Sequence, residues 1–210
     1  MPISYEISGF NRRRKWKLFH KLFDPDKETT VLDVGFSEDE YTKTDNFIEK
    51  YFPFPENLTA LGVDIPNAFK KRYPQVKAVH YDGTVFPFND KAFEICWSNA
   101  VIEHVGGRKK QMLFLQEIHR VARQAFITTP NKYFPVETHT RIPFLHMLSK
   151  RIFDRYLRMI GKSWAAGDYM NLLSLKDFTS LLNDAGISNY RIYRNRLFGF
   201  TLDFVAVIFE

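Results

Sequence analysis

The sequence predicts an α/β protein built around a parallel sheet, and two observations support this. Short apolar runs typical of buried strands alternate with longer segments in which apolar residues recur at helical spacing. That alternation favours β–α units over an all-β fold. The chain has 210 residues, 45% of them hydrophobic, which is enough for one domain with a substantial core. We therefore expect a single domain over residues 1–210.

The N-terminal part should be helical and lead into the first strand. Over residues 9–23, aromatic and leucine side chains recur at helical spacing, within an N-terminal segment that we place at 1–28. Residues 29–36 (TTVLDVGF) have buried-strand character and contain a glycine near their end. Residues 38–52 are predicted as the next helix, because prolines directly after this range would end it.

The middle of the chain predicts three further strands and two helices. Residues 58–64 (LTALGVD), 76–81 and 93–98 (FEICWS) are predicted strands. A short helix at 67–72 follows the turn made by Ile65 and Pro66. Residues 108–122 form a longer predicted helix, since four apolar residues share one face.

The fifth strand, predicted at 125–129, is followed by a segment that breaks this rhythm. Residues 130–167 begin as a loop and become amphipathic from residue 144 to residue 160. We interpret 130–167 as an insertion on the substrate side of the domain. It mixes aromatic with basic residues, so it is either a lid over an apolar, lipid-like or anionic acceptor at a membrane surface, or an ordinary helix packed on the sheet.

The C-terminal part should consist of one helix and a hairpin. Residues 175–185 are predicted as a helix, with Ser174 as N-cap and Gly186 as the stop. Residues 190–193 and 201–209 have strand character and are predicted to pair as the closing hairpin.

The net charge of +6 is concentrated in two clusters. The first contains Arg12, Arg13, Arg14, Lys15 and Lys17, and the second contains Lys150, Arg151, Arg155, Arg158 and Lys162. Such clusters favour anionic partners, although a run of charges commonly forms only a solvated helix face. No recognised nucleic-acid-binding motif accompanies them.

Several protein classes fit the composition poorly. Cys96 is the only cysteine, so an intrachain disulfide is impossible. No apolar run follows the charged N-terminal part, and no stretch of about 18 apolar residues occurs anywhere. The histidines lack the spacing of zinc ligands, so we expect no metal. We expect a cytoplasmic protein that could lie at a membrane surface, and the sequence predicts no oligomeric state.

Polar or flexible residues stand at the ends of the first four predicted strands. They are Asp33 with Gly35, Asp64, Asp82 with Gly83, and Ser98 with Asn99. Because the carboxyl ends of parallel strands share one edge of the sheet, these groups should converge on one ligand. A glycine allows close backbone approach, and carboxylates accept hydrogen bonds from ribose hydroxyls and an exocyclic amine. A nucleoside ligand suits this pattern, whereas a dinucleotide fits less well because G-x-G-x-x-G is missing.

At these positions the sequence resembles class I S-adenosylmethionine-dependent methyltransferases. VLDVGFSEDE, LGVDI and HYDGTVFPF resemble motifs I, II and III, and FEICWSNAVIEHV and ITTPN resemble the fourth and fifth strands of the type 11 subgroup. The resemblance covers about residues 29–130. It implies a Rossmann-like fold, with a mostly parallel seven-stranded sheet, helices on both faces and an antiparallel last strand. It also implies S-adenosylmethionine as cofactor.

The resemblance further implies which residues hold the cofactor. They are Asp33, Val34, Gly35 and Phe36 at the methionine end, Asp64 and Ile65 at the ribose and adenine, Asp82 and Gly83 at the adenine edge, and Ser98, Asn99 and Ala100 beneath the sulfonium. Phe36 and Trp97 could offer aromatic faces to that sulfonium. Ser37 stands where the family usually has a second glycine, which keeps open the alternative of a non-catalytic binding module.

The expected chemistry is an in-line displacement, in which the protein mainly aligns the acceptor with the methyl group. A general base is needed only when the acceptor must lose a proton, and His104, Glu137 and His139 are the candidates. Alternatively, His104 is structural and the other two lie in a solvated loop. His104, Tyr133 and Phe134 are the candidate substrate contacts. We expect a small-molecule or lipid-like acceptor, with nucleic acid as the alternative.

Overall fold

The computed structural model describes residues 3–136, 140 and 142–210, apart from the side chains of residues 3–7 and 168. The helices in this part are α1 (Ile3–Phe23), α2 (Phe47–Tyr51), α3 (Asn67–Arg72), α4 (Arg108–Val121), α5 (Lys150–Met159) and α6 (Leu175–Asp184). The strands are β1 (Val31–Val34), β2 (Leu58–Gly62), β3 (Lys77–His80), β4 (Phe93–Asn99), β5 (Ala122–Pro130), β6 (Tyr190–Leu197) and β7 (Phe200–Ile208).

These strands form one sheet in the order β3-β2-β1-β4-β5-β7-β6. The first five pair in parallel, and β7 runs antiparallel to both β5 and β6. The predicted mostly parallel sheet with an antiparallel last strand is therefore confirmed. The strand order reverses between β1 and β4, and in open α/β sheets such a switch point is where ligands bind.

Helices cover both faces of the sheet, as the resemblance implies. On one face, Leu115 and Ile118 of α4 and Phe178 of α6 belong to one buried cluster with inward residues of the strands. On the other face, Phe19 of α1 packs edge-on against Trp97, with ring centroids 5.1 Å apart. Because successive strand residues point to opposite faces, each short strand contributes side chains to the hydrophobic clusters on both faces of the sheet.

The predicted helix at 38–52 is wrong over most of its length, since only residues 47–51 are helical. Two polar side chains satisfy the backbone of the preceding loop instead. Asp45 accepts hydrogen bonds from the backbone N–H groups of Tyr41 and Thr42, both at 2.8 Å. Asn46 accepts from the Ser37 N–H at 2.8 Å and donates to the Ser37 carbonyl at 2.9 Å. Such local bonds compete directly with helix formation.

Residues 81–92, between β3 and β4, form an irregular loop. Side chains of α4 hold this loop. Glu117 accepts from the Phe86 N–H at 2.7 Å, and Arg120 donates to the carbonyls of Phe86 and Phe88.

Elsewhere the boundaries agree more closely. The helix at 67–72 is found as predicted, α1 begins earlier than expected at Ile3, and β5 extends over Ala122–Pro130. Ser174 caps α6 in a reciprocal capping box with Asp177. The closing strands join through Phe198 and Gly199, which both have positive φ, as a type I′ hairpin turn requires.

The inserted segment builds a small core of its own. Phe153 and Leu157 of α5 pack with Ile142, Ala165 and Met170. Asn131, just after β5, forms a parallel bridge with Leu173, which ties the segment to the sheet edge. Within the described residues, no helix combines the length and apolar character needed to cross a bilayer.

Candidate functional site

A cavity of about 170 Å³ opens at the carboxyl ends of β1 and β4, at the switch point of the sheet. Its wall combines residues of β1, the loops after β1 and β4, α1 and α2. They include Asp33, Val34 and Gly35, Asn99 and Ala100, and Arg12 and Glu49. Five of the predicted cofactor residues, those in β1 and in the loops after β1 and β4, therefore line one cavity together.

Gly35 brings the loop after β1 close to the loop after β4. Its φ is +110°, a conformation that side chains rarely adopt. A Cβ at Gly35 would lie 2.3 Å from Cγ2 of Val101, which follows β4. The loop after β1 can therefore pass beside the loop after β4 only because residue 35 has no side chain.

Two buried carboxyl groups, those of Asp33 and Glu49, face this cavity. Neither carboxylate oxygen of Glu49 has a hydrogen-bond donor among the described residues. Burial raises the pKa of Asp33 well above its usual range, and neighbouring Glu49 raises it further. Burial also raises the pKa of Glu49. Protonated Asp33 can donate one hydrogen bond to Glu49, and the remaining carboxylate positions suit a cationic, hydrogen-bond-donating ligand.

A cation from the N-terminal helix lies beside these acids. Arg12 of α1 lines the cavity and donates a hydrogen bond from Nη1 to the carbonyl of Thr44. Burial lowers the pKa of the guanidinium, and the charges of Asp45 and then Asp33 oppose that shift. Within the described residues, Arg12 forms no ion pair with a carboxylate, so most of its guanidinium N–H donors remain available to a ligand.

Lys15, one turn further along α1, is also buried. Its Nζ lies 3.3 Å from Oδ2 of Asp203 and 3.4 Å from Oγ1 of Thr128. Asn11 donates to the same carboxylate, and Asn195 donates to its other oxygen at 2.7 Å. The first basic cluster is therefore neither a purely solvated face nor a free anion-binding patch, since two of its members are internal.

Two predicted cofactor residues lie outside the cavity wall. The Phe36 ring packs in the core against Phe69, with centroids 4.5 Å apart, and covers Gly62. Ser98 is fully buried within β4, and its hydroxyl has no partner among the described residues. Ser98 points into a layer of the fold because strand residues alternate between faces, whereas Phe36 lies beyond the end of β1 and packs in the core. Trp97 does line the cavity, but its ring is stacked on Phe126.

The remaining predicted cofactor residues occupy the open part of the same sheet edge. Asp64 and Ile65 follow β2 and are exposed, as is Asp82 after β3. The Asp82 carboxylate accepts a hydrogen bond from the Thr84 N–H at 3.0 Å. Hydrogen bonds from Thr84 lower the pKa of Asp82, so this acid is held ionised in a turn. Gly83, with φ +83°, makes that turn.

His104 lies in a short 3₁₀ helix, Ile102–His104, just after the cavity wall. Its Nδ1 is 2.8 Å from the carbonyl oxygen of Tyr169. A carbonyl can only accept, so Nδ1 carries the proton and, in the neutral ring, Nε2 carries the lone pair. Glu137 and His139, the other two candidate bases, lie outside the described residues.

A second cavity, of about 250 Å³, lies between α4, the end of β5 and the inserted segment. Gln111 of α4 lines it and donates to the carbonyl of Ile102 at 3.1 Å, so this cavity adjoins the His104 helix. His146 also lines it, with Nε2 2.9 Å from the Phe134 carbonyl and a buried Nδ1 that has no partner among the described residues. Phe134 contacts His146 through its carbonyl oxygen but is not among the residues that line this cavity, and Tyr133 is exposed. Nothing in the sequence pattern singled out His146.

Comparisons with known proteins agree with this geometry. A family model described as a methyltransferase domain matches residues 32–125. Among proteins of curated function, none matches the chain. A solved S-adenosylmethionine-dependent methyltransferase from Aquifex aeolicus is 18% identical, with a TM-score of 0.54, and the alignment covers 92% of this chain and 89% of that one.

Two further solved structures share the fold. One is a methyltransferase from Mesorhizobium loti with a TM-score of 0.61 and 8% identity, covering 92% of this chain and 96% of the other. The second is the Burkholderia thailandensis 1,6-didemethyltoxoflavin-N1-methyltransferase, with a TM-score of 0.59 and 13% identity over 93% of this chain and 75% of that one. The matched model and these structures show that residues 32–125 are a methyltransferase domain of the type 11 family, within a chain that has the fold of S-adenosylmethionine-dependent methyltransferases.

Proposed function

We propose that the chain methylates a small-molecule or lipid-like acceptor, with its cofactor held at the switch-point cavity. When bound, S-adenosylmethionine supplies an activated methyl group on a sulfonium. The observation that carries the proposal is the buried carboxyl group of Glu49, which lies beside Asp33 in the cavity wall and has no hydrogen-bond donor for either oxygen while both acids are ionised. The cofactor's methionine end carries an ammonium group that would supply the missing donors.

Other residues suit the remaining parts of the cofactor. Gly35 lets the backbone approach the methionine end, and Asn99 and Ala100 form the wall at the end of β4. Asp64, exposed at the end of β2, is free to accept from a ribose diol. The adenine would then lie towards β3, where Asp82 is held ionised and so acts as an acceptor.

Arg12 complements the two acids at the methionine end. That end is zwitterionic, and the cavity wall offers the cation Arg12 beside the acids Asp33, Asp45 and Glu49. A guanidinium binds a carboxylate through paired N–H donors, which gives direction as well as strength. We therefore assign Arg12 to the cofactor's carboxylate and the acids to its ammonium group.

We place the acceptor in the second cavity, beyond the 3₁₀ helix of His104. Its apolar wall includes Phe153 and Met170, which suits a partly apolar molecule. His104 is the residue that we propose to take a proton when the acceptor must lose one. His104→Ala should then lower kcat while leaving the Kd of S-adenosylhomocysteine within about twofold.

The inward position of Arg12 and Lys15 removes part of the basic surface that a nucleic-acid acceptor would need.

The proposal is tested by calorimetric titration with S-adenosylmethionine and S-adenosylhomocysteine. Asp64→Ala and Glu49→Gln should each weaken binding, whereas Glu56→Ala, which removes an exposed acid elsewhere, should not. A wild-type protein that binds neither ligand would overturn the proposal and leave a non-catalytic scaffold. Transfer of a labelled methyl group to a panel of small and lipid-like acceptors then identifies the substrate.

We also propose a cytoplasmic location, with which the free, buried Cys96 agrees.

A further inference from the structure

The outer face of the inserted segment combines arginines with large exposed apolar side chains. We define this insert face by Arg151, Ile152, Arg155, Arg158 and Met159 of α5, together with Trp164. The five helical residues follow the spacing of neighbouring turns, so they share one side of the helix.

The opposite side of α5 fixes this orientation. Phe153 and Leu157 are buried in the small core of the insertion. Asp154 is buried with them, where its carboxylate lies 3.2 Å from Nζ of Lys150 and accepts from the Gly167 N–H. The helix cannot turn its arginines inward without burying charge and exposing this core, so the insert face is built into the fold.

The apolar part of the insert face is larger than a solvated helix requires. Ile152 and Trp164 are each 55% exposed, and Met159 is 77% exposed. Leu148, also exposed, stands at the mouth of the second cavity. Single exposed apolar residues are ordinary, but a group of them on one segment marks an interaction surface.

The charge of the face decides what kind of partner it fits. Its charged members are three arginines, and the only acid of α5, Asp154, is turned inward. The partner must therefore offer negative charge and an apolar phase together. Nucleic acid offers no apolar phase for Ile152 and Met159, whereas an anionic bilayer presents phosphate groups above acyl chains.

We infer that the insert face docks on an anionic lipid bilayer and so holds the inserted segment at the membrane surface, with the second cavity on the opposite side of α5, where Phe153 and Lys150 line it. This inference extends the proposed function but does not depend on it, since docking needs neither cofactor nor methyl transfer.

The test is co-sedimentation of the full chain with vesicles. One set contains only phosphatidylcholine, and the other contains about one third phosphatidylglycerol. Each arginine at an anionic surface contributes roughly a fivefold gain in partition coefficient. The triple variant R151Q/R155Q/R158Q should therefore bind the anionic vesicles about a hundredfold more weakly.

A matched variant separates this surface from general electrostatics. R13Q/K17Q/K21Q removes the same charge from exposed positions of α1 and should bind like the wild type. Met159→Ser with Trp164→Ser should weaken binding at about 0.5 M salt, where screening has removed most of the charge contribution. Equal losses in both triple variants, or no sedimentation of the wild type, would overturn the inference. So would gel filtration showing that the insert face is buried between two copies of the chain, or RNA binding in place of vesicle binding.

Discussion

Replacing Arg12 by methionine should damage recognition of one end of the cofactor and leave the other end untouched. Arg12 reaches the cavity from α1 and lies beside Asp33 and Glu49. A hydrogen bond to a charged group contributes about 1.5–3 kcal/mol when one partner is removed. The Kd of S-adenosylhomocysteine should thus rise roughly 10- to 100-fold.

Three ligands locate the loss within the cofactor. S-adenosylhomocysteine carries both the ammonium and the carboxylate, its decarboxylated analogue carries only the ammonium, and 5′-methylthioadenosine carries neither. Arg12→Met should weaken only the first, and the decarboxylated analogue should bind slightly more tightly because a nearby positive charge is gone. Calorimetry of the three ligands against one protein preparation gives these ratios directly.

The controls for this prediction lie on the same helix. Arg13→Met changes an exposed arginine and should alter none of the three affinities. Arg12→Lys keeps the charge but loses the paired donors, so it should recover only part of the affinity. If Arg12→Met weakened all three ligands equally, Arg12 would merely support the fold of the cavity. If it weakened none, the carboxylate would be bound elsewhere.

Three further results are expected. Gly35→Ala should abolish cofactor binding and lower Tm, because its Cβ would overlap Val101 in a backbone conformation already unfavourable for alanine; a normal calorimetric titration would contradict this. The affinity for S-adenosylhomocysteine should rise with pH from the ordinary carboxyl range up through the raised pKa values of Asp33 and Glu49, since binding an ammonium group favours the ionised acids and releases protons. Glu49→Gln should flatten that profile, and an unchanged slope would refute the assignment. Ser174→Ala should cost about 1 kcal/mol by removing an N-cap, a fall of roughly 2–4 °C in Tm by calorimetric scanning, with cofactor affinity unchanged.

The sheet was the most predictable part of the molecule. Parallel strands buried on both faces are continuous apolar runs, so β1 and β2 stand out from their surroundings. The glycines and acids that follow these strands then predict that the ligand binds at the carboxyl edge of the sheet. Local capping signals were equally informative, since Ser174 begins α6 and Gly186, with φ +81°, lies just after its end.

The loop after β1 could not be predicted, because its conformation depends on a competition between local bonds. Residues 38–52 have enough apolar and polar alternation for a helix, and prolines that would end one. The side chains of Asp45 and Asn46 nevertheless bond to nearby backbone groups, and Asn46 adopts φ +48°. The loop also bonds to distant elements, since Arg12 of α1 donates to the Thr44 carbonyl and Glu38 accepts from backbone N–H groups of α3. Local sequence does not contain these contacts.

The contribution of α1 to the site was also missed, although a signal was present. Residues Asn11, Lys15 and Phe19 are four apart, so they share one side of the helix, and Phe19 belongs to an obvious apolar stripe. A polar residue in line with a buried aromatic residue should be expected to be buried and paired. Counting Lys15 with its basic neighbours as one charged patch hid that pattern.

The buried lysine explains why an N-terminal helix belongs to the site. Burial lowers the pKa of Lys15, and Asp203 opposes that shift, so the pair is retained at a desolvation cost rather than as a large source of stability. Lys15 donates to Oγ1 of Thr128, whose own hydroxyl proton is donated to Oδ1 of Asn99 at 2.9 Å. Because that bond occupies the amide oxygen, the Nδ2 donor of Asn99 is directed away from Thr128, and Asn99 lines the cavity. The helix that carries Arg12 to one wall of the cavity thus also orients the amide of the opposite wall, and both effects depend on α1 remaining docked.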